Sequence, residues 1–156
     1  MKVIIAGGGT GGHLFPGVAI YEEVKNQEPG SEILFVVNRG ELAFRTLKKH
    51  GIEYRTIKAG KVAGSSLVQL IRTGILSAAG ILGSLEIIKS FTPDVVIGLG
   101  SYVSGPVVIG GILLGKVTVI QEQNYVPGMA TKFLSRFVNE VEVSFPETGA
   151  FLRSRN

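Results

Sequence analysis

The chain has no cysteine in 156 residues. Disulfides and thiolate metal sites are therefore excluded, nothing points to an oxidising compartment, and a reducing cytoplasm is the expected setting. Aspartate is almost as scarce, because Asp94 stands alone. A paired Asp-x-Asp metal site cannot form, so no metal is expected at any functional site and phosphate charge would have to be met by other means. Residues 1–6 carry one Lys and a short apolar run that stops at Gly7, too short for the apolar region of a signal peptide. Charged residues make up only 18% of the chain against 45% hydrophobic ones, which excludes a disordered polymer. No internal repeat or low-complexity tract is present. The net charge is +4, yet the 16 basic residues are spread along the chain. That distribution calls for no nucleic acid, and an anionic lipid surface or a phosphate ligand fits it as well.

What is abundant is glycine, at 22 of 156 residues, about twice ordinary usage and without a collagen period. Apolar β-branched runs at 2–6, 32–37, 53–57, 95–98, 116–121 and 140–144 read as strands. Helical patterns at 16–27, 41–50, 65–90, 105–114 and 127–136 separate them, the long one with possible breaks at Gly80 and Gly83. Strands alternating with helices predict an α/β protein, a Rossmann-like doubly wound parallel sheet covered on both faces. Residues 1–144 form one such domain in this reading, and 145–156 form a frayed exit or linker. Residues 95–115 are uncharged and long enough to span a bilayer, but six glycines and Pro106 punctuate them. Strand, loop and helix account for that punctuation; a lipid-exposed span does not.

In a doubly wound sheet, ligands bind outside the carboxyl ends of the strands. Three of those ends carry GGGTGG, GLGSYVSG and QEQN. The first, with Gly7, Gly9 and Gly12 between a strand and a helix, matches a phosphate-cradling fingerprint. A dinucleotide site also expects an acid after the second strand, where Asn38 and Arg39 stand instead. Arg39 still suits a 2′-phosphate, so an NADP module stays open, as does a plain tight turn. His13 enters the helix from the glycine loop, at the positive end of the helix dipole, where a neutral imidazole suits a general base. Its alternative is a capping or packing role, and His50, beside Lys48 and Lys49, reads as a charge partner at a helix end. Residues 121–124 place one carboxylate, Glu122, among three amides, a grouping suited to sugar hydroxyls or simply to a solvated loop. Glu122 is the acidic residue expected in the crevice, and either it or His13 could take a proton.

Between residues 58 and 91, Lys58, Lys61, Arg72 and Lys89 face only Glu86, while Ile75, Leu76, Leu82 and other apolar residues surround the helix. One helix face cannot hold them all. Lys58, Lys61, Arg72, Ile75, Leu76 and Leu82 make an apolar patch with a basic rim, suited to an anionic membrane or a partner; deeper burial is the other reading.

GGGTGGHLFPG (7–17), GSYVSGP (100–106), EQNYVPG (122–128) and SFPE (144–147) together resemble the MurG-type family in content, order and spacing over nearly the whole chain. The resemblance implies a two-domain GT-B glycosyltransferase that moves N-acetylglucosamine from UDP-N-acetylglucosamine to lipid I, the undecaprenyl-linked acceptor, forming lipid II for peptidoglycan. It implies an inverting, metal-independent reaction without a cofactor, at the cytoplasmic face of the bacterial membrane, by a peripheral protein. Thr10, Gly11, Gly12 and Asn124 would then contact the sugar nucleotide. His13, Tyr102, Ser104, Glu122 and Gln123 would line the acceptor side. Ser101 and Gln121 depart from the family pattern, which has Gly and often His there. The chain stops at Asn156, short of the family's C-terminal donor domain, so the fragment is expected to be inactive alone. A non-catalytic membrane-side subunit of a split transferase is the rival reading.

Overall fold

The computed structural model describes residues 1–8, 11–60 and 67–152, with the backbone alone for 67–77. Six strands form one sheet: β1 (Lys2–Ala6), β2 (Glu32–Val37), β3 (Tyr54–Thr56), β4 (Val95–Gly98), β5 (Val117–Glu122) and β6 (Glu140–Val143). All pairings are parallel and the order is β3-β2-β1-β4-β5-β6. The chain order reverses direction between β1 and β4, which makes their carboxyl ends the topological switch point. The expected fold class is the one found.

The central strands are apolar on both faces because both faces are covered. Val3, Ile5, Phe35 and Val37 pack with Leu14 and Val18 of α1 (Gly11–Gln27) and Leu47 of α2 (Glu41–Lys49). Ile4, Ala6, Leu34 and Val36 point the other way, towards Ile87 and Ile88 of α3 (Leu67–Phe91) and Val107 of α4 (Ser104–Leu113). A smaller cluster joins Val108, Ile120 and Leu134, the last on α5 (Met129–Leu134). Val95 to Gly115, the uncharged stretch, divides between β4, a loop and α4 as expected. Among the described residues no helix is long and apolar enough to cross a membrane.

Three expectations need correction. Helix α1 starts at Gly11, five residues before the expected position, so that Pro16 lies inside it. Helix α3 runs unbroken through Gly80 and Gly83. Gly80 instead marks a close approach: a Cβ there would stand 3.0 Å from the Lys58 carbonyl oxygen and 3.2 Å from Pro106. Residues 145–152 do not simply fray, because Pro146–Phe151 form a 3-10 turn, and 153–156 lie outside the described residues. Within it Thr148 is fully buried, and its hydroxyl donates to the carbonyl oxygens of Tyr125 (2.9 Å) and Asn124 (3.2 Å).

Candidate active site

The crevice is built at the ends of β1, β4 and β5, where three loops meet. Leu99, just after β4, fixes the first of them from below. Its buried side chain fills the space that a Cβ on Gly7 or Gly17 would need, at 2.7 and 2.6 Å. Those two glycines are thus explained by packing, and Gly8 by its φ of +132°. Gly12 is different, for it is exposed and a Cβ there meets nothing within 4 Å. It lies with Gly11 and His13 in the first turn of α1, whose backbone N–H groups have no partner within the helix. Thr10 and Gly9 lie outside the described residues.

The Leu99 carbonyl oxygen sits 2.8 Å from His13 Nδ1, joining the β4 exit to the start of α1. The Gln123 side-chain amide, from the β5 exit, lies 2.6 Å from the same nitrogen. His13 is half-buried, and its Nε2 takes part in no hydrogen bond among the described residues. The expected convergence of the glycine loop, the GSYVSGP loop and the EQN loop is therefore realised around one imidazole.

Glu122 has a different place from the one expected. Its side chain is completely buried. Oε1 accepts from the Asn124 backbone N–H (3.0 Å) and side-chain amide (2.8 Å), and Oε2 accepts from Gly128 N–H (3.2 Å) and Thr131 hydroxyl (2.7 Å). A carboxylate with both oxygens bonded on both sides has no lone pair left for a substrate proton. Its geometry is that of a loop organiser, not of a base lining the crevice. The turn that follows β4 is shaped to it: Gly100 has φ +75°, and a Cβ would stand 3.3 Å from Glu122 Oε2.

Ser104 is also withdrawn from the crevice. It is buried, and its hydroxyl donates to the Ser101 carbonyl at 2.6 Å, closing the turn into α4. Ser101, the departure from the family pattern, is buried in the same turn. Tyr102 remains half-exposed, with its hydroxyl accepting from the Asn38 side-chain amide at 2.9 Å. Asn38 follows β2 and Tyr102 follows β4, so this bond passes from one side of β1 to the other. Sequence reasoning noted Asn38 only for not being an acid. The signal available was its place at a strand end beside the switch point.

Tyr102 and Gly100 also line a largely apolar cavity of about 410 Å3, together with Pro106, Ile109, Met129 and Phe133. Met129 and Phe133 are 75% and 59% exposed, and the Phe137 ring lies tilted against Phe133 with centroids 5.4 Å apart. These exposed apolar residues of α5 and the turn after it, with the exposed cations Lys132 and Arg136 beside them, were missed in the sequence because the helix is short and no periodicity could develop. Of the expected apolar-basic patch, Leu82 is 68% exposed. Lys58 lines an open groove with Arg55, Glu86 and Ser90. Lys61, Arg72, Ile75 and Leu76 fall outside the described side chains. His50 ends α2 and places Nδ1 3.3 Å from Glu22 of α1, a structural tie. Among the described residues no group of three or more His, Cys, Asp or Glu could hold a metal ion.

Residues 3–143 match the glycosyltransferase family 28 N-terminal domain. A UDP-N-acetylglucosamine–N-acetylmuramyl-(pentapeptide) pyrophosphoryl-undecaprenol N-acetylglucosamine transferase from Syntrophus aciditrophicus is 39% identical over 99% of this chain. Its counterpart from Myxococcus xanthus is 41% identical over 97%. The chain spans only 43% and 39% of the length of these two relatives. Among solved structures, Acinetobacter baumannii MurG superposes with a TM-score of 0.82 at 29% identity, over 94% of this chain and 42% of that one. A UDP-GlcNAc 2-epimerase from Neisseria meningitidis, at 14% identity and a TM-score of 0.56, shares the fold over 77% of this chain and 31% of its own. The ordered motifs, the sheet order and these matches agree: the chain belongs to glycosyltransferase family 28, as its N-terminal domain.

Proposed function

We propose that this chain is the acceptor-side half of an inverting transferase that moves N-acetylglucosamine from UDP-N-acetylglucosamine to lipid I, without a metal ion. The observation that carries the reading is the half-buried His13, held through Nδ1 by the Leu99 carbonyl at the meeting point of three loops. In this reaction the acceptor sugar's hydroxyl oxygen bonds to C1 of the donor sugar as the bond from C1 to the diphosphate breaks. The bonding pair leaves with UDP, and the hydroxyl proton goes to His13 Nε2. The first-turn amides of Gly11, Gly12 and His13 meet developing negative charge on the diphosphate. Asn124, fixed on Glu122 by two hydrogen bonds, reaches the sugar nucleotide from the β5 side. Tyr102 and Gln123 stand on the acceptor side, and Glu122 and Ser104 hold their loops in shape.

The exposed apolar residues Leu82, Met129, Phe133 and Phe137, with Lys132 and Arg136, support peripheral attachment to the anionic cytoplasmic face of the membrane. The lipid part of the acceptor would stay in that membrane while its sugar enters the crevice.

The test is transferase activity of this chain alone, of the chain with a separately supplied C-terminal half, and of the complete enzyme. No turnover is expected from the chain by itself, and turnover there would overturn the split site. In the complete enzyme, His13→Ala is expected to lower kcat by about 100-fold or more while acceptor binding changes little. Saturable binding of NADPH to this chain, with no response to membranes, would instead favour a dinucleotide module.

A further inference from the structure

Two groups meet at His13 Nδ1, and their hydrogen bonds are incompatible as they stand. The Leu99 carbonyl oxygen, 2.8 Å away, has only lone pairs to offer, so Nδ1 must carry its hydrogen. The Gln123 amide nitrogen, 2.6 Å away, has only hydrogens to offer and would need a bare Nδ1. One of the two must give way. Leu99 is held in place, because its N–H donates to the Ala6 carbonyl at 2.9 Å and its side chain is fully buried against Gly7 and Gly17. The Gln123 amide is not fixed, since half a turn about its last bond exchanges oxygen and nitrogen without changing its shape. In the present orientation the amide oxygen is buried without a hydrogen-bond partner, so exchanging the two atoms gives up no bond of that oxygen and the choice is made at Nδ1.

We infer that Gln123 is a positioning residue: its side-chain oxygen, with the Leu99 carbonyl, holds His13 as the Nδ1–H tautomer. Nε2 is then the bare nitrogen, turned to take the acceptor's proton, and both oxygens stabilise the imidazolium that results. The catalytic half of this inference rests on the reading of His13 as the base; the tautomer does not.

The chain has two histidines, so 15N-histidine spectra above the imidazole titration range, assigned with a His50→Gln variant, report the tautomer directly. The native chain should show His13 mainly as Nδ1–H. Gln123→Met, which removes the acceptor, should shift population towards Nε2–H, and Gln123→Glu, which keeps one, should retain Nδ1–H. In the complete enzyme Gln123→Met should lower kcat on the order of tenfold with KM nearly unchanged, and Gln123→Glu should recover most of that loss. An Nε2–H main form in the native chain overturns the inference, as does a Gln123→Met variant with the native tautomer ratio. If the tautomer is as expected but His13→Ala turns over normally, the base reading falls and the pairing of Gln123 with His13 stands.

Discussion

At the scale of single residues, two glycines of the crevice do opposite work. Gly100 adopts φ +75° against the Glu122 carboxylate, a conformation that costs an L residue about 1–2 kcal/mol. Gly100→Ala should lower the urea midpoint accordingly, and an unchanged midpoint would contradict that geometry. Gly12 has open space around its Cβ position, so Gly12→Ala should leave unfolding unchanged or slightly improved. In the complete enzyme the same substitution should raise KM for the sugar nucleotide. Glu122→Gln puts two amide hydrogens where two of the four donors already point, at a cost of about 1–3 kcal/mol. If Glu122 were instead the base, Glu122→Gln would abolish turnover with stability intact, and paired urea and kinetic measurements separate the two cases.

At the scale of elements, α4 lies close to its neighbours because its glycines permit it. A Cβ on Gly111 would stand 2.9 Å from Thr118 of β5, and one on Gly110 would stand 3.1 Å from Ile88 of α3. Gly111→Val should therefore destabilise the chain by about 1–3 kcal/mol through overpacking, read as a lower midpoint in denaturant. The 3-10 turn acts on a different element, the loop between β5 and α5. Thr148 ties that loop down through two backbone carbonyls, while Tyr125 packs edge-on against Phe145 and Phe151 on either side of it. Thr148→Val should loosen the loop by about 1 kcal/mol. Faster amide exchange at Asn124 and Gly128, both bonded to Glu122, is the expected sign, and unchanged protection there would refute the tie.

At the scale of the whole molecule, a basic chain with exposed aromatic and aliphatic side chains should sediment with anionic vesicles and be released by salt. Lys132→Glu with Phe133→Ser should weaken that association, whereas equal recovery with neutral vesicles would count against it. Much of the architecture was legible beforehand, because apolar runs such as Ile33–Val37 and the glycines after them read directly as buried parallel strands and their exits. Helix starts were less legible: α1 begins inside the glycine loop, and glycine gives no local signal for helix. The breaks expected at Gly80 and Gly83 had the same origin. A glycine that permits close packing and one that ends a helix look alike in one dimension.

The sequence alone determined the doubly wound sheet, the three polar loops at its carboxyl edge and the lack of an Asp-x-Asp motif. These follow from local apolar periodicity and residue counts. Tertiary structure alone decided where the described polar residues of those loops sit and what they touch. Glu122 and Gln123 are neighbours in the chain, yet successive side chains at a strand end point to opposite sides. One is buried under four donors and the other rests on His13, 110 residues away. Only the folded chain, by bringing the ends of β1, β4 and β5 together, separates the acid that shapes the loop from the imidazole that faces the crevice.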